Sequence, residues 1–161
     1  MLIDKSYLGC FEDPDKGVKL KRRYKTRGVC IHHTCTASPK KTRAVLKKKG
    51  YSTHFEIDLD GKIYQYAPLD RKCCHCGSCN FQFIGVDLTH LAGAEFPMVQ
   101  LRALRALCDW LSSRLGVPPV IVAELPMGFY FHRAVGDTVC PQDVPEDLFN
   151  NPAYDGESVE G

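Results

Sequence analysis

Leu101, Leu104, Leu107, Cys108, Leu111 and Leu115 recur three or four residues apart, the spacing that gathers apolar side chains on one face of an α-helix. Gly116 stands directly after them, where a left-handed C′ residue closes a helix, so the pattern predicts a helix from about Pro97 to Leu115. A helix with one apolar face must cover another apolar layer. Short β-type segments elsewhere supply that layer. Gly28-Val29-Cys30-Ile31 and Phe83-Ile84-Gly85-Val86-Asp87-Leu88 are apolar runs of strand length. Thr53 to Tyr66 reads as a hairpin, because alternating segments flank Asp60-Gly61, a two-residue turn signal. Pro119 to Ala123 reads as a further strand. Between the first strand and the hairpin, Ser38-Pro39 offers an N-cap and an N1 proline for a helix through Leu46 to Lys49, closed by Gly50. The order β–α–β–β–β–α–β implies an α/β domain, a mixed central sheet flanked by helices.

At 161 residues the chain fits one domain, which at this size buries roughly two thirds of its unfolded surface. With 44% hydrophobic and 25% charged residues, it needs no metal or disulfide merely to fold. Clusters of His and Cys therefore point to function. The net charge of +2 is unevenly placed: residues 1–50 hold 14 of the 21 Lys and Arg against four acids, and residues 134–161 hold seven acids and no Lys or Arg. These shifts divide the chain into an irregular basic arm (1–26), a folded domain (27–149) and a frayed acidic tail (150–161). Lys19-Leu20-Lys21-Arg22-Arg23-Tyr24-Lys25 would attract polyanions. It lacks an aromatic ladder or nucleic-acid motif, so it reads as a solvated face and nucleic acid is not an expected partner. No apolar run has signal-peptide or membrane-span length. The expectation is a monomer that is cytoplasmic as synthesised, without a membrane span.

Nine cysteines in a reducing compartment more often serve metals or chemistry than disulfides. Three clusters offer candidates. Ile31-His32-His33-Thr34 ends a strand, where a rigid scaffold positions loop-borne sites. His132 and Cys140 lie eight residues apart, a spacing that needs a folded-back loop, and Pro141 restrains the chain just after the thiol. Cys73-Cys74-His75-Cys76-Gly77-Ser78-Cys79-Asn80 holds two overlapping CxxC spacings, open to a zinc knuckle or a redox pair. No second CxxC pair follows 15–20 residues on, so a complete knuckle is not present.

Taken in order, these segments resemble the type-2 N-acetylmuramoyl-L-alanine amidase superfamily, which includes phage lysozyme-type amidases, anhydro-muropeptide amidases and animal peptidoglycan-recognition proteins. The resemblance runs from Val29 to Cys140 through Ile31-His32-His33-Thr34, Thr53-His54-Phe55-Glu56-Ile57-Asp58 and Asp60-Gly61-Lys62-Ile63-Tyr64-Gln65. It continues through His75 and Asn80, Ile84-Gly85-Val86-Asp87, Gln100 before the long helix, His132-Arg133 and Cys140-Pro141. It implies a zinc ion at the floor of an open groove, held by His32, His132 and Cys140. Peptidoglycan or a muropeptide would be the substrate, cut between N-acetylmuramic acid and L-alanine, at the cell wall if the protein is released or exported. Three protein ligands would leave a fourth position for water, the arrangement of a catalytic zinc.

The resemblance also assigns further roles. Thr53 stands where phage and animal enzymes place a tyrosine, and a threonine hydroxyl cannot act as a base at neutral pH. Asp87 matches the catalytic glutamate of the anhydro-muropeptide branch, one methylene shorter. Thr138 matches a lysine or threonine that helps hold the oxyanion. His75, Asn80 and Thr53 fall on the substrate groove, His54 beside the site, and His90 is read as a surface residue. The rival readings are a non-catalytic peptidoglycan-binding module and a zinc or nucleic-acid-binding protein built on the Cys73–Cys79 cluster.

Overall fold

The computed structural model describes residues 1–11, 25–91, 93–118 and 127–160. Among them, six strands form one sheet: β1 (Ile3–Asp4), β2 (Gly28–His33), β3 (Phe55–Ile57), β4 (Ile63–Gln65), β5 (Phe83–Leu88) and β6 (Gly128–Phe131). Their spatial order is β1, β4, β3, β5, β2, β6. Only the β3–β4 hairpin is antiparallel; the other neighbours are parallel, so the sheet is mixed as expected. The expected strand at Pro119–Ala123 falls outside the described residues, as does most of the basic stretch Lys19–Lys25.

Among the described residues, two α-helices accompany the sheet: α1 (Pro39–Lys49) and α2 (Met98–Leu115). Ser38 caps α1, accepting from the Lys41 N–H at 3.4 Å, and Gly50 closes it in the left-handed region at φ 70°. Gly116 closes α2 at φ 64°. Gln100, expected before α2, lies in its first turn and is fully buried. Its amide donates to the carbonyls of Ile57 at 3.0 Å and Thr89 at 2.8 Å, tying the helix start to the sheet. The hairpin loop is longer than a two-residue turn. Asp58 N–H donates to Lys62 O, Gly61 N–H to Asp58 O, and Gly61 sits at φ 82°, the three-residue form in which a turn is followed by a left-handed glycine.

Strand alternation separates the two faces of the sheet. Val29 and Ile31, Ile84 and Val86, Phe55 and Ile57, and Phe129 and Phe131 join Leu101, Leu104, Leu107 and Leu111 of α2 in the main core. Burying each such side chain contributes about 1.5–3 kcal/mol. The alternate residues, among them Cys30, His32, Glu56, Asp87 and Tyr130, face the other side. That side is closed in part by the chain's beginning. Phe11 packs edge-on against Tyr66 with ring centroids 5.4 Å apart, and Arg43 of α1 lies over the Tyr7 ring at 3.7 Å.

Described residues of both termini make backbone pairings within the stretches that composition marked as an arm and a tail. Ile3 and Asp4 pair with Ile63 and Tyr64. The tail returns to that edge: Glu160 N–H donates to Met1 O at 2.7 Å, and Ile3 N–H to Glu160 O at 3.3 Å. These backbone pairings, absent from any side-chain pattern, hold the two ends together. No described helix is long and apolar enough to cross a membrane.

Candidate metal centre and active-site groove

The parallel register sets the site. His32 of β2 pairs with Asp87 of β5, which pairs on its other side with Glu56 of β3. In-register residues of adjacent strands share a face, so an imidazole and two carboxyls stand in a row on the side away from α2. The loop after β6 then folds back over the end of β2. His132 opens a 3₁₀ turn (His132–Ala134), and Gly136 lies so close that a Cβ there would sit 3.0 Å from His132 Nε2. The His33 N–H donates to Cys140 Sγ at 3.3 Å, and the Gln142 N–H donates to His33 Nδ1 at 3.2 Å. Arg133 clamps the loop through its own N–H to Cys140 O and its guanidinium to Pro141 O.

Donor atoms of His32, His132 and Cys140 consequently lie within 4.8 Å of one another. Residues 100 positions apart meet because three parallel strands hold the two loop ends side by side. His33 faces away: its Nδ1 is taken by the Gln142 N–H, and its ring stacks on His90 with centroids 5.6 Å apart. The donor set fits a divalent metal ion. Burial, then the neighbouring His75, His132 and His33, push the His32 pKa well below the usual histidine range. Burial, then His75, lower that of His132. Both imidazoles are therefore neutral at physiological pH, with a lone pair to donate. Burial pushes the Cys140 thiol up to about 12, a direction that a bound cation reverses by stabilising the thiolate.

A groove of about 200 Å³ opens over these residues, lined by His32, His75, Asp87, His132 and Cys140 on one side and by Thr42, Val45, Leu46 and Lys49 of α1 with Tyr51 on the other. Asp87 is buried at its floor, and burial first, then the Glu56 charge, raises its pKa to about 7. Thr53, fully buried, donates its hydroxyl to Asp87 Oδ1 at 3.1 Å. Glu56 is held by Tyr66 O–H at 2.6 Å and Thr89 O–H at 2.7 Å, with burial raising its pKa against those hydrogen bonds.

The other expected groove residues sit as follows. Asn80 Oδ1 accepts from the N–H groups of His75 and Cys76, both at 2.8 Å, and so shapes the loop. His75 lies over β5 and reaches His32, its Nδ1 lying 3.0 Å from His32 Nε2. Thr138 accepts from the Cys140 N–H at 3.2 Å. His54 is buried beside His75, accepting from the Gly85 N–H at 2.9 Å. His90 is corrected from a surface residue: it is 1% exposed, stacked on Phe96 at 4.0 Å, and its Nε2–H donates to Ala94 O at 2.7 Å. Of the Cys73–Cys79 cluster, Cys76 packs with Cys30, Phe83 and Tyr130, while Cys73 joins the separate cluster around Tyr66. The hydrogen bond with Cys30 pulls the Cys76 thiol pKa down. Donor atoms of Cys30, His32 and His75 also lie within 4.8 Å of one another, so the two triads share His32.

Residues 22–143, three quarters of the chain, match the N-acetylmuramoyl-L-alanine amidase family (Amidase_2). The chain belongs to that family. Among solved structures, it is similar to the N-acetylmuramoyl-L-alanine amidase LysC from Clostridium intestinale, at 20% identity, TM-score 0.71, covering 92% of this chain and 94% of that one. The endolysin of a Thermus scotoductus bacteriophage gives 17% identity, TM-score 0.73 and coverage of 96% and 99%. The Staphylococcus aureus hydrolase AmiA, solved in complex with its ligand, gives 18% identity, TM-score 0.65 and coverage of 83% and 66%. At these identities the structures show a shared fold. No curated protein sequence matches significantly. Amidase-family membership makes the chain an enzyme of the amide-hydrolysing class and directs attention to the groove.

Proposed function

We propose that this amidase cleaves the amide between N-acetylmuramic acid and L-alanine in peptidoglycan, with zinc held by His32, His132 and Cys140. The observation that carries the reading is the meeting of those three donors on the floor of an open groove in a chain of this family. Two neutral imidazoles and a cysteine thiolate are typical zinc donors, and three such ligands leave a position open for reaction. When bound, zinc supplies Lewis acidity, polarising the amide carbonyl and acidifying water.

The chain's own groups do the rest. Asp87 takes the proton from the attacking water and returns it to the departing L-alanine nitrogen. A carboxyl whose pKa burial has raised to about 7 suits both directions of that transfer at neutral pH. Thr53 fixes the carboxylate by donating to Oδ1. Thr138, whose oxygen accepts from Cys140 N–H, keeps its hydroxyl proton for the developing oxyanion. Asn80 keeps its amide N–H groups for substrate, and His75 presents a ring edge to the groove. The apolar and cationic wall of Val45, Leu46, Lys49 and Tyr51 suits an anionic glycopeptide. A protein that meets intact wall after release fits this reading.

The test is amino-group release from purified peptidoglycan, with and without a chelator, with the new N-terminal residue identified. Chelator-sensitive release of L-alanine amino termini is expected. Cleavage that ignores the chelator, or that exposes sugar reducing ends instead, rejects the proposal.

A further inference from the structure

The two ring nitrogens of His75 each meet a neighbour whose chemistry leaves little freedom. Its Nε2 lies 3.3 Å from the carbonyl oxygen of Phe83. A carbonyl only accepts, so Nε2 carries the proton. In the neutral ring Nδ1 is then an acceptor, and it lies 3.0 Å from His32 Nε2. One of two ring nitrogens this close must donate, and with His75 Nδ1 accepting, the N–H between them is that of His32 Nε2. The lone pair that remains on His32 is that of Nδ1.

The loop is built to hold this ring in place. Asn80 Oδ1 grips the N–H groups of His75 and Cys76. Beneath the ring, β5 has Gly85: a Cβ there would lie 2.9 Å from His75 Cγ and Cδ2. The side chain is missing from the strand where the imidazole must pass.

We propose that His75 is a positioning residue that sets the tautomer and ring orientation of His32 through the chain Phe83 O, His75, His32, so that His32 offers Nδ1 to the metal. This rests on the zinc reading above and adds a residue outside the ligand set. A metal-ligating histidine whose other N–H is held by an acceptor binds more tightly, by about 10- to 100-fold.

Two near-isosteres separate this role from simple packing. His75→Asn places an amide oxygen near the position of Nδ1 and keeps an acceptor for His32. His75→Gln reaches toward Phe83 O and loses that acceptor. Zinc affinity by chelator competition should fall about 10- to 100-fold in His75→Gln and His75→Ala and recover most of the loss in His75→Asn. Nitrogen-15 imidazole spectra of the metal-free wild type should show His32 protonated on Nε2, and His75→Gln should mix the tautomers. The spectra need no metal, so they test His75 even if the wild type binds no zinc. Tight zinc binding unchanged in all three variants overturns the role and leaves the zinc reading standing. A second zinc equivalent, lost in both His75→Ala and Cys30→Ser, also overturns it, because His75 would then be a ligand.

Discussion

Glu56 and Asp87 occupy paired positions on adjacent parallel strands, and both carboxyls are buried. Like charges so placed disfavour joint ionisation. The pair is resolved by unequal solvation: Glu56 is stabilised by the hydroxyls of Thr42, Tyr66 and Thr89, whereas Asp87 receives one hydroxyl donor, from Thr53. Glu56 is thereby the better stabilised anion, and Asp87 holds its proton to about pH 7.

Replacing Glu56 by Gln removes the charge that helps raise the Asp87 pKa. The acidic limb of the kcat/KM profile should move to lower pH, by up to about one unit. An unmoved limb would separate Asp87 from the group that controls it.

Stability carries the same signature with a defined sign. The Asp87 carboxyl is raised in the fold from 3.8 to about 7, so the folded state binds the extra proton. Its contribution is fully present below the unfolded value and is lost as pH rises through about 7. In metal-free protein, urea unfolding at about pH 5 and about pH 8 should show Asp87→Asn gaining roughly 2–4 kcal/mol on wild type at the higher pH. An equal difference at both pH values would mean that Asp87 titrates normally.

Gly85→Ala tests the close approach on β5. The new Cβ would meet the His75 ring and Thr53 Oγ1 at 2.9 Å, and neither neighbour is the free end of a flexible chain. A loss of about 1–3 kcal/mol by thermal or denaturant unfolding is expected. Wild-type stability would show that the ring moves aside without penalty.

His33→Ala distinguishes the adjacent histidines. The His33 ring accepts from Gln142 N–H and stacks on His90, so its loss should cost about 1 kcal/mol in stability and spare zinc binding. Loss of the metal would move the ligand from His32 to His33.

Much of this was legible because it lies in periodic patterns. The leucine spacing gave α2, Ser38-Pro39 and Gly50 bounded α1, and apolar runs gave β2 and β5. The first and last strands were not legible. Ile3–Asp4 is two residues long, and Gly128–Phe131 is four residues without alternation, all buried. His90 was misread because a polar residue near a strand end defaults to the surface, whereas Phe96 and Ala94 fold back over it. Glu56 was passed over for the opposite reason. Alternation marks it as outward on β3, yet that face is covered by Tyr66 and, beyond it, Phe11. Only tertiary structure reveals that its neighbour across the strand is Asp87. The meeting of His32, His132 and Cys140 followed an ordered set of motifs; the engagement of His75 with His32 had no signal in the sequence.

The most direct measurement is zinc content and peptidoglycan amide hydrolysis on the same preparations of folded wild type and His32→Ala. About one zinc per chain together with L-alanine amino-group release is predicted for wild type, and loss of both in His32→Ala. Full hydrolysis by a zinc-free His32→Ala protein would contradict the assignment.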